Sequence, residues 1–341
     1  MSSVKILIVK PSSLGDVVQA LPVLRLLKLA HPAAEIYWWI DSRFAPLLET
    51  DPDLAGTILF ERNGWRSPRR WARLIQEILA LREHRFDLVI DLQCLARSGS
   101  FAWVANGGFL AGLDEPREGA RGFYDIVVPR PSFGTHAVDW YLAVLPRLGV
   151  PVHNRFTWIP SHPQTAQAIQ SRWPIAGRRW VAVQPGARWL DKRWPVEHFA
   201  ELVRQLAADF PEIHFAILGS GDERERAETI AAVAPQRALN LAGQLSLPEM
   251  VELLRLCEVM VTNDTGPMHV AAALGKPVVA LFGPTDPRRT GPYGQIEQTL
   301  RQPLPCSPCF KPACANPNQM ECLRTISPAR VAAEVARRLK G

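Results

Sequence analysis

The stretch "VTNDTGPMHVAAALGKPVVALFGPTD", residues 261–286, leaves an apolar run through Asn263, Asp264 and Thr265, meets Gly266, and turns helical with Met268 and His269 in the first turn. A second apolar run, 276–283, follows. Strand, polar turn, helix and strand in that order make a βαβ unit, and two strands joined this way run parallel. Asp264 or Thr265 is placed to cap the helix, and Gly266 has no side chain to keep another backbone or a ligand away. The free amides of that first turn, at the positive end of the helix dipole, suit a diphosphate. A cap needs one polar residue, and Asn-Asp-Thr-Gly together with His269 exceeds that need.

The same pattern recurs on both sides of this stretch. In the second half, strands are expected over 180–186, 214–221, 237–243, 258–264 and 276–283, with helices over 196–209, 223–234, 247–256, 266–275 and 328–339. In the first half, strands are expected over 4–9, 35–40 and 87–92. Helices start at Gly15, with Val17, Leu21, Leu24 and Leu27 on one face, and run over 68–84 and 136–149, the last ending in Gly149. The fold class is therefore α/β, with two Rossmann-like doubly wound domains facing a central cleft. The segment "GVPVHNRFTWIPSHP", 149–163, has three prolines and no sustained periodicity, which marks a linker. It divides the chain into domains 1–155 and 156–327.

A chain of 341 residues exceeds the usual size of one core, and 47% apolar with 21% charged residues excludes extended disorder. The sequence contains no uncharged apolar run of about 18 residues, and Gly15-Asp16 arrives too early for a signal-peptide core, so a cytosolic protein is expected. The net charge of +6 is unevenly spread. In "ERNGWRSPRRWAR", 61–73, Arg62, Arg66, Arg69, Arg70 and Arg73 face only Glu61. That suits an anionic partner such as phosphate or a membrane surface, or a solvated helix face with Trp65 and Trp71 turned inward. Nucleic acid is disfavoured, because basic residues are not grouped with stacking aromatics elsewhere.

In open α/β sheets ligands bind beyond the carboxyl ends of the strands, so polar residues just after a strand are the candidates. After the first strand, "KPSSLGD" lacks the Gly-x-Gly-x-x-Gly fingerprint, which disfavours a nicotinamide enzyme. Asp16 there reads as a helix-terminus carboxylate or as a general base for an acceptor hydroxyl. In "QPGARWLDKRWP" the cations Lys192 and Arg193 stand at a helix entry, where they oppose the dipole unless an anion binds. Glu223 reads as an ordinary first-turn acid or as a ligand for a ribose hydroxyl pair. Cys306, Cys309, Cys314 and Cys322 follow a C-x2-C-x4-C-x7-C spacing that is open to a structural zinc or iron or to unliganded thiols. Cys94 and Cys257 sit in apolar contexts as core residues.

The motifs "KPSSLGD", Gly-x4-Asp-Lys-x-Trp-Pro, "HAVDWYL", Asp-Thr-Gly-x-x-His and Phe-Gly-Pro-Thr-Asp-Pro, in this order except that "HAVDWYL" precedes the second, run over nearly the whole chain. Together they resemble the ADP-heptose:lipopolysaccharide heptosyltransferases of glycosyltransferase family 9. The resemblance implies a GT-B fold, an acceptor-binding N-terminal domain, a nucleotide-sugar-binding C-terminal domain, and a last helix, 328–341, that packs back on the N-terminal domain. It implies inverting transfer from ADP-heptose to an inner-core lipopolysaccharide acceptor, at the inner face of the cytoplasmic membrane, with no cofactor required for catalysis. By position, Asp16 would be the base and Lys192 would contact the donor phosphates. Glu223 would contact the ribose, and Asp264, Thr265, Gly266 and His269 the diphosphate and heptose. Ser13 would lie beside the acceptor or leaving group, and it is grouped with Gly15, Gly186 and Arg188 around the donor. Arg62, Arg66, Arg69, Arg70, Arg73 and Arg97 would meet the anionic Kdo and phosphate groups of the acceptor. The first loop resembles heptosyltransferase I and the cysteine segment resembles type II members. Arg188 and Trp189 stand where type I enzymes commonly carry small hydroxyl residues.

Overall fold

The computed structural model of the chain describes residues 3–60, 80–105, 107–115 and 118–340. The arginine-rich stretch 61–73, with Arg62, Arg66, Arg69, Arg70 and Arg73, and most of the helix expected over 68–84 lie outside the described residues. The chain divides into two units, Met1–Pro160 and Ser161–Gly341.

The N-terminal unit holds a six-stranded parallel sheet of β1 (Lys5–Val9), β2 (Glu35–Asp41), β3 (Gly56–Phe60), β4 (Leu88–Asp91), β5 (Phe109–Asp114) and β6 (Ile126–Pro129), in the order β3-β2-β1-β4-β5-β6. Strands β3, β5 and β6 were not among the expected ones. β3 and β6 are largely half-exposed and give only a weak apolar signal, and Gly112 interrupts the pattern of β5. The helix Leu14–Ala30 is buried almost all round, with every residue from Val17 to Leu27 covered, where the sequence suggested a single apolar face. Expected as one helix, 136–149 forms two pieces, Ala137–Leu142 and Val144–Arg147. Gly149 then closes the second piece at φ 74, which only glycine adopts without strain.

The C-terminal unit repeats the plan with β7 (Arg179–Gln184), β8 (Ile213–Ile217), β9 (Ala238–Asn240), β10 (Val259–Asn263), β11 (Val278–Phe282) and β12 (Leu300–Arg301), in the order β12-β11-β10-β7-β8-β9. Numbered within its unit, this is the same arrangement as in the first. All five expected strands are present, and the two-residue β12 is the addition. In both sheets the direction of winding reverses at one point, between β1 and β4 and between β7 and β10. Loops that leave these strands at their carboxyl ends diverge and create a crevice there.

The division after Pro160 lies inside the expected linker 149–163. Within the first unit the Trp158 carbonyl accepts from Arg25 Nε (3.1 Å) and Nη2 (3.0 Å), and Arg25 is itself fixed by ion pairs to Asp51 and Asp53. The last helix spans Pro328–Lys340. Val331, Ala332, Val335 and Leu339 are buried in the core of the C-terminal unit with Phe199, Val203 and Leu206 of the helix Val196–Asp209. Its apolar stripe is answered within its own unit, next to which it lies in sequence.

Candidate active site

In the C-terminal unit, the loops after β7 and β10 meet at the reversal point. Asn263, wholly buried, joins them: its Oδ1 accepts from Trp194 N (3.0 Å) and its Nδ2 donates to Pro185 O (2.8 Å). Beside it, Asp264 Oδ2 accepts from Lys192 Nζ (2.6 Å) and from Thr285 Oγ1 (2.6 Å). Lys192 also lies 4.8 Å from the centre of the Trp189 ring. Its ammonium is therefore held at the mouth of the crevice by a carboxylate and an aromatic face.

The Gly266–Ala273 helix begins next to this cluster. Thr265 occupies the N-cap position with extended backbone, φ −152 and ψ 168, yet its side chain makes no cap hydrogen bond. Asp264 is directed to Lys192 and Thr285, so the capping expected of these two residues does not occur. Pro267 in the first turn has no N–H to satisfy, which lightens the need for a cap. Met268 is fully buried and His269 nearly so.

A cavity of about 470 Å³ adjoins the helix start, lined by Gly186, Arg188, Arg193, Glu223, Met250 and Thr265 among others. That volume fits a nucleoside-sized ligand. The Glu223 carboxylate accepts from Ser220 N (3.0 Å), faces Arg193 at 3.7 Å, and lies directly over Gly186. A methyl group on Gly186 would sit 2.0 Å from Glu223 Oε1, so the loop needs glycine here to let the carboxylate in. Arg193 Nε in turn donates to Ala187 O (2.7 Å) and ties the loop to the helix entry. Arg188 is exposed at the cavity's rim.

In the N-terminal unit, Asp16 stands in the first turn of Leu14–Ala30, after β1. Its Oδ2 accepts from Ser13 N (2.8 Å) and Ser13 Oγ (2.7 Å), and its Oδ1 from the Tyr141 hydroxyl (3.3 Å). Gly15 is buried beside it. Arg97 is exposed on the helix Ala96–Val104, which follows β4 on the other side of the reversal point. That loop is shaped by the fully buried Asp91, which accepts from Gln93 N (2.8 Å), Cys94 N (3.2 Å) and Tyr124 Oη (2.7 Å). Burial pushes the Asp91 carboxyl upward, and these donors oppose the push.

The four clustered cysteines line a separate cavity of about 450 Å³. All are free thiols, and among the described residues no three His, Cys, Asp or Glu side chains are arranged to hold a metal ion. Of the two sequence alternatives, a structural zinc or iron finds no support in these residues as they stand: Cys306 is exposed, while Cys314 Sγ accepts from Met320 N at 3.4 Å. Burial, then the neighbouring Cys314, Cys306 and Cys309, push the Cys322 thiol up to about 11.

The family model for glycosyltransferase family 9 (heptosyltransferase) matches residues 71–320. The chain belongs to glycosyltransferase family 9. It is 30% identical to lipopolysaccharide heptosyltransferase 1 of Pseudomonas aeruginosa, over 97% of both chains. It is also 30% identical to lipopolysaccharide heptosyltransferase 2 of Escherichia coli, over 87% of this chain and 88% of that one. Among solved structures it is similar to the E. coli ADP-heptose LPS heptosyltransferase II, with a TM-score of 0.79 and 26% identity over 98% of both chains. The E. coli heptosyltransferase WaaC solved with ADP gives a TM-score of 0.78 and 26% identity over 98% of this chain and 99% of that one. This family 9 member is accordingly a glycosyltransferase with the two-domain α/β fold of GT-B enzymes.

Sequence reasoning missed Thr285, Asn263 as a brace, and the Tyr141 contact to Asp16. Thr285 follows β11 directly, so the rule that marks polar residues after strands also covers it. Tyr141 gives no such signal, because it lies inside a helix and meets Asp16 only in the folded unit.

Proposed function

We propose that this enzyme transfers heptose from ADP-L-glycero-D-manno-heptose to an inner-core lipopolysaccharide acceptor, Kdo2-lipid A or its heptosylated product, with inversion and without a metal ion. The observation that carries this reading is the Lys192–Asp264–Thr285 cluster at the head of the Gly266–Ala273 helix, beside the cavity holding Glu223. Leaving-group departure from an anomeric carbon proceeds through an oxocarbenium-like state, with negative charge growing on the diphosphate. Lys192 and the first-turn amides supply positive charge for it, which is the work a divalent cation does in other transferases. Glu223 takes the ribose hydroxyls, and Asp264, Thr265, Gly266 and His269 take the diphosphate and heptose. Asp16 is the base: it receives the acceptor's hydroxyl proton as the new C–O bond forms and ADP leaves. Arg97 and the 61–73 arginines take the acceptor's anionic groups, at the inner face of the cytoplasmic membrane. Contact with that surface is peripheral in this reading. No helix among the described residues is long and apolar enough to cross a membrane.

The test is ADP release from ADP-heptose by the purified protein, with Kdo2-lipid A or its heptosylated product, in the presence of EDTA, for the native chain and Asp16→Ala. Release that survives EDTA, depends on one acceptor and falls about 100-fold or more in Asp16→Ala with ADP affinity kept is expected. ADP-heptose binding without release on any acceptor would instead identify a nucleotide-sugar binder.

A further inference from the structure

The motifs "KPSSLGD" and "HAVDWYL" lie 120 residues apart in sequence, from Asp16 to His136, and the proposed chemistry uses only Asp16 from the first and nothing from the second. In the fold they converge. The helix Ala137–Leu142 packs on Leu14–Ala30, which brings the Tyr141 hydroxyl to 3.3 Å from Asp16 Oδ1. Behind the tyrosine, Lys10 Nζ lies 4.7 Å from the ring centre and donates to Leu92 O at 2.9 Å. Lys10 and Tyr141 are both 4% exposed.

A buried ammonium is costly unless negative charge or strong acceptors face it. Desolvation alone would drive the Lys10 ammonium toward its neutral form. Against it, the Tyr141 ring and hydroxyl and the Asp16 carboxylate favour the charged form, and the net shift is upward. The Leu92 carbonyl takes one of the three ammonium hydrogens, and it does not explain why the charge lies behind the ring that touches Asp16.

We infer that Tyr141 and Lys10 are positioning residues for Asp16, the hydroxyl fixing the orientation of its carboxylate and the buried ammonium keeping it ionised between turnovers. Ser13 N and Oγ hold Oδ2 while Tyr141 addresses Oδ1, so both oxygens are fixed on a rigid first turn. Lys10 and Tyr141 face Asp16 within this unit, and Cys94 lies next to both. Burial and the Asp16 charge raise the Tyr141 phenol despite the opposing pull of Lys10, so it stays a neutral donor throughout the working range. Donors and a cation around a carboxylate lower its pKa, so removing either should raise it.

This inference rests on the assignment of Asp16 as the base, and the experiment separates the two. Transfer rates over pH 5–9, ADP affinity and thermal midpoints are measured for the native chain, Asp16→Asn, Tyr141→Phe and Lys10→Met. Expected are an inactive Asp16→Asn, and a Tyr141→Phe with kcat down about tenfold, the acid limb of kcat/KM moved to higher pH, and donor KM unchanged. Lys10→Met should move that limb in the same direction, since it too removes stabilisation of the carboxylate. An active Asp16→Asn overturns the base assignment, and this inference with it. An inactive Asp16→Asn beside a Tyr141→Phe and a Lys10→Met that keep the native acid limb overturns the positioning role alone, even where the thermal midpoint falls, because a purely structural contact lowers stability and leaves the limb in place.

Discussion

Asp264 is a single carboxylate with two short partners, and its position therefore depends on both. Lys192 supplies the charge and Thr285 the second hydrogen bond, each at 2.6 Å. A hydrogen bond to a charged group is worth about 1.5–3 kcal/mol, more than a neutral pair. Thr285→Val keeps the shape of the side chain and removes the bond. The expected result is a fall of about tenfold or more in kcat/KM for the donor, with the thermal midpoint lowered by a few degrees; steady-state kinetics with varied ADP-heptose would check it. The thiols offer a second test at this scale. A thiol at about 11 carries roughly one thiolate per thousand molecules at pH 8, and thiolate is the reactive form. Iodoacetamide at pH 8 with peptide mass spectrometry should therefore modify the exposed Cys306 well before Cys322 and the buried Cys94 and Cys257. Equal labelling would mean that the cavity around Cys322 does not shield it.

Between elements, Asn263 has the largest structural task. It is the last residue of β10, and its amide spans to the loop after β7 in both directions, accepting from Trp194 and donating to Pro185. Two diverging loops leave polar backbone groups exposed to the apolar sheet edge, and one buried amide satisfies both. Asn263→Ala strands a buried N–H and a buried C=O, at about 1–3 kcal/mol each. The prediction is a C-terminal unit destabilised by about 2–4 kcal/mol and ADP affinity lost together with it, read by chemical denaturation and calorimetric titration. A variant with native stability would show that water replaces the amide without loss. The Gly186 loop makes a similar point by shape: an added methyl group would displace Glu223 from the cavity wall.

At the scale of the whole molecule, each unit winds its own six-stranded sheet and reverses direction once. The candidate donor residues stand at one reversal point and Asp16 at the other. The last helix is part of the second unit's core through Val331, Ala332, Val335 and Leu339. Full burial of a Val or Leu side chain stabilises by about 1.5–3 kcal/mol, so a chain ending at 327 loses a large share of a unit's marginal stability. Such a truncation is expected to lose ADP binding and the cooperative melt of the C-terminal unit. If it bound ADP with native affinity, the helix would be an ornament on that core and not a member of it.

Much of this was legible in the sequence, because local rules decide it. Alternation of apolar runs with helical periodicity gives parallel α/β domains, and polar residues that follow strands give Asp16, Lys192, Glu223 and Asp264. Four of the five expected strands of the second unit were visible as buried, mainly apolar runs. Strands β3 and β6 were not, since short, partly exposed strands have weak patterns, and β5 is interrupted by Gly112. Contacts across long separations were decided only by tertiary structure. Tyr141 meets Asp16 across 125 residues, Asn263 meets Trp194 across 69, and Trp158 binds Arg25 across 133. No periodicity reports such pairs, because they arise when elements distant in sequence pack against the same sheet. The final helix shows this most plainly: its apolar stripe says that it must be covered, and only the packed core determines by what.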